Sequence, residues 1–303
     1  MENNVQQRYR EAVERVTENL KKDKGVLAVF LAGSLAYDKV WEKSDVDMLV
    51  IVRDDQKPDN PSYCIDEDDI VVNLDMVTRT AFTKRINKAV GGLGTHSLYS
   101  RGQFLYTQDE SLKDYLEDMG KIGKADRDYA VFVTAVDLMY FLEKVEKWVR
   151  VKNDATYARQ YLISMAGVIA RMELCTNYIS PSREAVLQAA EINPALMEQF
   201  YYYPMNNIMD SEAVMELLKK AYDYLDKHLD IITKPVITYL CDDEPKTVTA
   251  MSKHFKVGGH GLTHLTEYLK NKGIIGKASV AIRVTAKGRH VVDEIAYTYV
   301  TAD

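Results

Sequence analysis

Cysteine is scarce in this 303-residue chain, and the three present (Cys64, Cys175, Cys241) lie too far apart for a zinc motif or a disulfide framework. They are expected to be buried thiols in a reducing compartment. No apolar run approaches a membrane span, and the first residues (MENNVQQRYR) are too polar for a signal peptide, so a cytoplasmic protein with no membrane partner is expected. Proline is also rare, with seven residues. Two of them, Pro58 and Pro61, mark a polar surface loop, and Pro181, Pro194 and Pro204 fall where helical patterns stop. Net charge is −6, but it is unevenly spread. Residues 246–290 carry seven lysines and two arginines against one acid, a local +8 that leaves −14 on the remainder.

The informative stretch is Val26 to Val52. An apolar run, Val26 to Ala32, is bounded by Gly25 and Gly33 and has the length of a buried strand. Gly33-Ser34 breaks it, a short amphipathic piece follows from Leu35 to Trp41, and a second apolar run begins at Met48. Between them stands Ser44-Asp45-Val46-Asp47. On a strand, residues i and i+2 share a face, so Asp45 and Asp47 are expected side by side. Two adjacent carboxylates are costly without a cation between them, and their oxygens suit Mg²⁺. A glycine lets the backbone approach a ligand, and the amides at a following helix start can hold phosphate. Metal and phosphate together point to a nucleoside triphosphate site.

Gly33-Ser34 followed by Ser44-Asp45-Val46-Asp47 resembles the signature of the polymerase β-type nucleotidyltransferase superfamily. The resemblance implies a third carboxylate on a neighbouring strand, and Asp75 in Val71–Val77 is the candidate. It implies a nucleotidyl transfer from a nucleoside triphosphate, ATP being the expected one, with pyrophosphate released. Gly33, Ser34 and Ser44 would bind the nucleotide. Asp45, Asp47 and Asp75 would be catalytic and hold two Mg²⁺ ions, and Asp75 would act as base on an acceptor hydroxyl.

The expected fold class is α+β, with three domains. Residues 1–125 are a small mixed-sheet catalytic domain, introduced by an amphipathic helix (Val5, Tyr9, Val13, Val16, Leu20) explained by core packing alone. Tyr63 to Val77 reads as two strands around the acidic tip Asp66 to Asp69, Thr80 to Val90 as a helix, Arg101 to Tyr106 as a last strand and Ser111 to Met119 as a helix. Gly91-Gly92-Leu93-Gly94 lacks the context of a dinucleotide loop.

Residues 126–232 are helical throughout: Val131–Val151, Thr156–Asn177, Ser182–Ala190, Ala195–Tyr202 and Ser211–His228. An antiparallel bundle follows. Tyr157 to Ala185 resembles the helical domain of aminoglycoside nucleotidyltransferases, which implies acceptor contacts at Tyr157 and phosphate contacts at Lys152 and Arg159.

Residues 233–303 read as a helix begun by Val236 to Cys241, a second (Val248–Phe255), a turn at Lys256 to Gly259, and a third (His260–Lys272). Strands at Ile274-Ile275 and Ser279 to Thr285 and a closing helix, Ala286 to Tyr297, complete the reading. The order resembles a winged helix, whose third helix enters a major groove. Lys256, Lys270, Lys272, Lys277 and Arg283 would then contact nucleic acid within 246–290. Winged helices also dock substrates or form homodimers. His254, His260 and His264 prompt a metal check. His260 and His264 share a helix face, and Glu267 on the same helix is a possible third ligand, but no zincin motif is completed, and a solvated face or groove contact is the simpler reading.

The leading function is transfer to a small-molecule, aminoglycoside-like acceptor, since the acidic body would attract cations. Transfer to RNA or protein docked by the winged helix is the alternative. A nucleotide-sensing DNA-binding regulator is a third, which the presence of Asp75 disfavours.

Overall fold

A computed structural model of the chain describes residues 2–33, 35, 41–119 and 121–299, without the side chains of 2–4, 95 and 118. The chain divides into two compact units, Met1–Gly123 and Lys124–Asp303. Among the described residues no helix is long and apolar enough to cross a membrane.

The first unit begins with α1 (Glu2–Leu20) and strands β1 (Val26–Ala32), β2 (Val46–Val52), β3 (Ser62–Asp66) and β4 (Val71–Thr78). Helices α2 (Arg79–Asn87) and α3 (Gly94–Tyr99), strand β5 (Gln103–Thr107) and helix α4 (Ser111–Met119) complete it. The sheet order is β3-β4-β2-β1-β5, with β2 and β4 parallel and every other pair antiparallel, so it is mixed as expected. Alternation along each strand feeds two cores. Val29, Leu31, Met48, Val50, Val72 and Leu74 pack against Tyr9, Ala12, Val13 and Val16 of α1. Phe30, Leu49, Ile51 and Val77 pack against Phe82, Tyr99, Leu112 and Met119 of α2, α3 and α4. The β3–β4 hairpin turns through Asp68 and Asp69, both at positive φ, and Arg15 pairs with Glu67 and Asp68 at that tip. The acidic tetrad is therefore a charge-paired turn. Helix α3 has no counterpart in the sequence reading, because six residues after a glycine loop are too few for a periodic signal.

The second unit is built around α5 (Lys124–Arg150). Against it pack α6 (Ala155–Thr176), α10 (Ser211–Lys227), α11 (Leu229–Leu240) and α13 (Gly259–Asn271). Shorter helices α7 (Ala185–Ile192), α8 (Pro194–Met197) and α9 (Tyr203–Asn206), with a π-helical segment Glu198–Tyr202 between the last two, cover α6. Asp154, Asn193 and Asp210 cap α6, α8 and α10 by accepting from main-chain amides, which places those starts close to the expected ones. Among the described residues two acids are buried inside this unit, Asp128, which pairs with Arg127 at 2.6 Å, and Glu173. Glu173 accepts hydrogen bonds from Tyr224 Oη (2.7 Å) and Asn193 Nδ2 (2.9 Å), so its carboxylate is compensated.

The C-terminal part holds β6 (Lys246–Thr247), α12 (Val248–Phe255), α13, β7 (Gly276–Arg283) and β8 (Val291–Thr298), with sheet order β6-β8-β7. Two expectations are corrected here. Residues Ala286 to Tyr297 do not close as a helix. Val291, Val292, Ile295 and Tyr297 are β-branched or aromatic, and they form β8, which pairs with β7 from Gly276↔Thr298 to Arg283↔Val291. Ile274-Ile275 is not a strand either: it lies in the turn before β7, with Ile275 buried. Helix α11 starts at Leu229, well before Val236, and runs through Pro235.

The cysteine expectation holds for one residue. Cys175 is buried, and burial pushes its thiol up to about 12, leaving an inert core group. Cys64 on the edge strand β3 and Cys241 at the end of α11 are exposed.

Gly102, just before β5, marks the tightest packing point of the catalytic unit. A Cβ there would lie 2.1 Å from Phe30 Cζ and 2.6 Å from the Leu31 carbonyl oxygen. Gly102→Ala is expected to lower the urea-unfolding stability of this unit by about 1–3 kcal/mol, the usual penalty for overpacking. An unchanged unfolding midpoint would contradict the packing described.

Candidate active site

Strand β1 ends at Ala32, whose register partner on β2 is Asp47. The chain then turns at Gly33, which has φ +73°, a conformation that side chains with a Cβ resist. A Cβ at Gly33 would lie 2.6 Å from Asp47 Oδ2, so glycine is required both for the turn and for the approach of the backbone to that carboxylate. Ser34, and residues 36–40 of the amphipathic piece expected from Leu35 to Trp41, lie outside the described residues. Leu35 is buried among the residues on the α1 side of the sheet.

Asp47 is on β2, and Asp45 stands one residue before the strand begins. The pair is held together from the neighbouring strand. Asn73, the β4 partner of Asp47, donates from Nδ2 to Asp45 Oδ2 (2.9 Å) and lies 3.3 Å from Asp47 Oδ1. One amide thus bridges both carboxylates. Asp75 lies two residues further along β4, level with Leu49, and alternation puts it on the same sheet face as Asp47 and Asn73. Its Oδ1 accepts a hydrogen bond from the Ser62 hydroxyl across the β3–β4 pair. The structure therefore brings Asp45 and Asp47 together through Asn73, and gives Asp75 a separate partner on the same face.

Three contributors were not singled out in the sequence. Asn73 sits in the run VVNLDMV, where a polar residue flanked by Val72 and Leu74 was a usable signal. Ser62 had none. Tyr9 was counted as core alone, yet its hydroxyl also donates to the Ser44 carbonyl at 2.7 Å, tying α1 to the turn that presents Asp45. Burial raises the Tyr9 phenol above its ordinary value, with Asp45 and Glu42 adding to the shift against Arg8. The Ser44 hydroxyl accepts from the Trp41 amide (3.1 Å), so Ser44 shapes the turn.

The donor set suits a hard divalent cation: two adjacent carboxylates, an amide and a third carboxylate nearby. Asn73 already supplies a positive edge to the pair.

The other candidates lie in the second unit. Lys152 is exposed after α5, and Tyr157 packs against Trp148 at a tilt of 38°, with ring centroids 4.0 Å apart. Arg159 donates to the Pro204 and Met205 carbonyls, so its guanidinium ties α6 to α9. Of the five basic residues expected to contact nucleic acid, Lys272 pairs with Asp226 and Lys277 with Glu267, whereas Lys256, Lys270 and Arg283 are exposed. Glu267 also accepts from Tyr297 Oη at 2.7 Å, so it is not placed to join His260 and His264.

Replacing Asn73 by Asp should show what the amide does. A third charge beside Asp45 and Asp47 is expected to destabilise metal-free protein by roughly 1 kcal/mol, and Mg²⁺ should restore the loss. Thermal unfolding with and without Mg²⁺ measures this. A loss that Mg²⁺ leaves untouched would mean that the three side chains do not share a cation.

Residues 14–111 match the family described as polymerase beta, nucleotidyltransferase. The fold of the whole chain is similar to the crystal structure of a nucleotidyltransferase-like protein from Exiguobacterium sibiricum, with a TM-score of 0.65 and 14% identity. The match covers 96% of this chain and 99% of that one. No curated protein matches the sequence. The strand–glycine turn–Asp-x-Asp strand lies inside the matched residues, and with it the chain carries a nucleotidyltransferase domain of the polymerase β type.

Proposed function

We propose that the protein transfers a nucleoside monophosphate from a nucleoside triphosphate, ATP first among them, to a hydroxyl of a small-molecule acceptor. The observation that supports this most is the Asp45–Asp47 pair, bridged by Asn73 and approached by the Gly33 backbone. Asp45 and Asp47, with Asp75 beside them, would hold Mg²⁺. When bound, the ion neutralises phosphate charge and orients the triphosphate for in-line displacement.

The chain's own groups account for the remaining steps. The Gly33 turn, with Ser34, would present amides and a hydroxyl to the triphosphate. Asp75 would accept the proton of the acceptor hydroxyl as that oxygen bonds to the α-phosphorus. The bond from the α-phosphorus to the bridging oxygen breaks, and pyrophosphate leaves with its electron pair. The Ser62 hydroxyl fixes the orientation of Asp75 through Oδ1, leaving Oδ2 for the proton. Lys152 and Tyr157 remain candidates for phosphate and acceptor contacts, on the resemblance to aminoglycoside nucleotidyltransferases. A cationic acceptor fits the −14 charge outside residues 246–290.

A second reading rests on the C-terminal part, where α12, α13 and the sheet β6-β8-β7 would serve as a winged helix. Lys256, Lys270 and Arg283 would there contact RNA or DNA, and the acceptor would be a polymer.

Pyrophosphate release separates these readings. With Mg²⁺ and ATP, release is expected with a cationic polyol acceptor. Asp47→Asn is expected to abolish it in a folded protein. Asp75→Asn should reduce kcat by about 10²–10⁴-fold, with nucleotide affinity kept, as loss of a general base does. Release only with RNA, weakened by Lys256→Ala and Arg283→Ala, would favour the polymer. Turnover retained by Asp47→Asn would exclude the mechanism.

A further inference from the structure

Helix α13 approaches α5 unusually closely, because Gly261 has no side chain. A Cβ there would meet the Val136 carbonyl oxygen at 2.3 Å. Two helical turns further along α5, Glu143 is held against the His260 and His264 face of α13. Three ligand atoms, one from each residue, lie within 4.8 Å of one another, and Glu143 Oε2 is 3.8 Å from His260 Nε2. The two imidazoles meet edge to face, with centroids 4.6 Å apart.

Glu143 Oε2 is itself buried and has no hydrogen-bond partner. The Lys144 ammonium, 3.1 Å away, is its ion-pair partner. A buried carboxylate oxygen facing two imidazoles gains from a further positive partner, which a bound cation would supply.

We propose that Glu143, His260 and His264 form a binding site for a borderline divalent transition ion of the zinc class, which ties α13 to α5. Two nitrogens and one carboxylate oxygen select such an ion over Mg²⁺ or Ca²⁺, which take oxygen ligands. Ligands at about 2.1 Å around a tetrahedral ion stand roughly 3.4 Å apart, so side-chain rotation of about an ångström closes the site. A fourth position stays open to solvent on the exposed side of His260. Burial holds His264 below its usual value, with His260 adding to the shift against Glu143. Burial opposes ionisation of Glu143, but Lys144 and the two histidines outweigh it and hold the carboxyl below its usual range. Tyr140 borders the site, with its ring 5.7 Å from that of His260. This centre differs from the Asp45–Asp47 cluster in ligand chemistry, and it uses Glu143 of α5, not Glu267.

The test is Zn²⁺ titration of the tag-free, chelator-stripped full chain, with excess Mg²⁺ present to occupy the carboxylate cluster. Calorimetry and thermal unfolding are the readouts, with Co²⁺ absorption reporting a low-coordinate nitrogen–oxygen site. One saturable equivalent is expected, together with a rise in Tm. Both should be lost in His264→Asn and in Glu143→Gln, and kept in Asp47→Asn. Circular dichroism confirms that each variant is folded. No saturable binding, or binding equal in wild type and both ligand variants, overturns the site. In the first case Lys144 alone serves as the counter-ion of Glu143. Neither result bears on nucleotidyl transfer, which Asp47→Asn probes independently.

Discussion

Two carboxylates at the start of one strand repel each other, and much of the catalytic unit serves to keep them together. Asn73 reaches from β4 and contacts both, which is possible because β2 and β4 run parallel in a register that sets Asn73 opposite Asp47. Asp45 is fixed from the other side, where Tyr9 holds the Ser44 carbonyl and the Ser44 hydroxyl closes the turn at Trp41. Gly33 completes the frame, since any side chain there would run into Asp47. Helix, turn and two strands therefore converge on a concentration of negative charge that a divalent cation would relieve.

The sheet's two cores explain why this cluster lies where it does. On one face α1 covers β1, β2 and β4, and on the other α2, α3 and α4 cover the same strands. Asp47, Asn73 and Asp75 occupy positions of the second face, in register with Leu49, Ile51 and Val77, but beyond the aromatic packing of Phe30, Phe82 and Tyr99. Alternation thus sends polar groups to the end of the sheet without burying an uncompensated charge. In the second unit α5 has the equivalent role, and the close approach of α13 to it is admitted by Gly261.

Much of this could be read before any coordinates. The apolar run to Ala32, the glycine turn and the paired aspartates have fixed spacings that follow from strand geometry, and the helical patterns of residues 131–151, 156–177 and 211–228 match α5, α6 and α10. What escaped the sequence depends on pairing between segments. Whether Asn73 or Asp75 faces Asp47 is a matter of register, which no local pattern encodes. The partner of His260 and His264 is Glu143, over a hundred residues away, and the acid on their own helix is taken by Lys277 and Tyr297. Residues 286–297 were misread because Glu294 and the neighbouring polar residues blur a β pattern that is set by pairing with β7.

The most direct test of this account is a crystal structure of the full chain with Mn²⁺ and a non-hydrolysable ATP analogue, read by anomalous scattering. The account predicts a manganese peak bound by Asp45 and Asp47, with the triphosphate against the Gly33 turn. Nucleotide and metal bound away from these residues would contradict it.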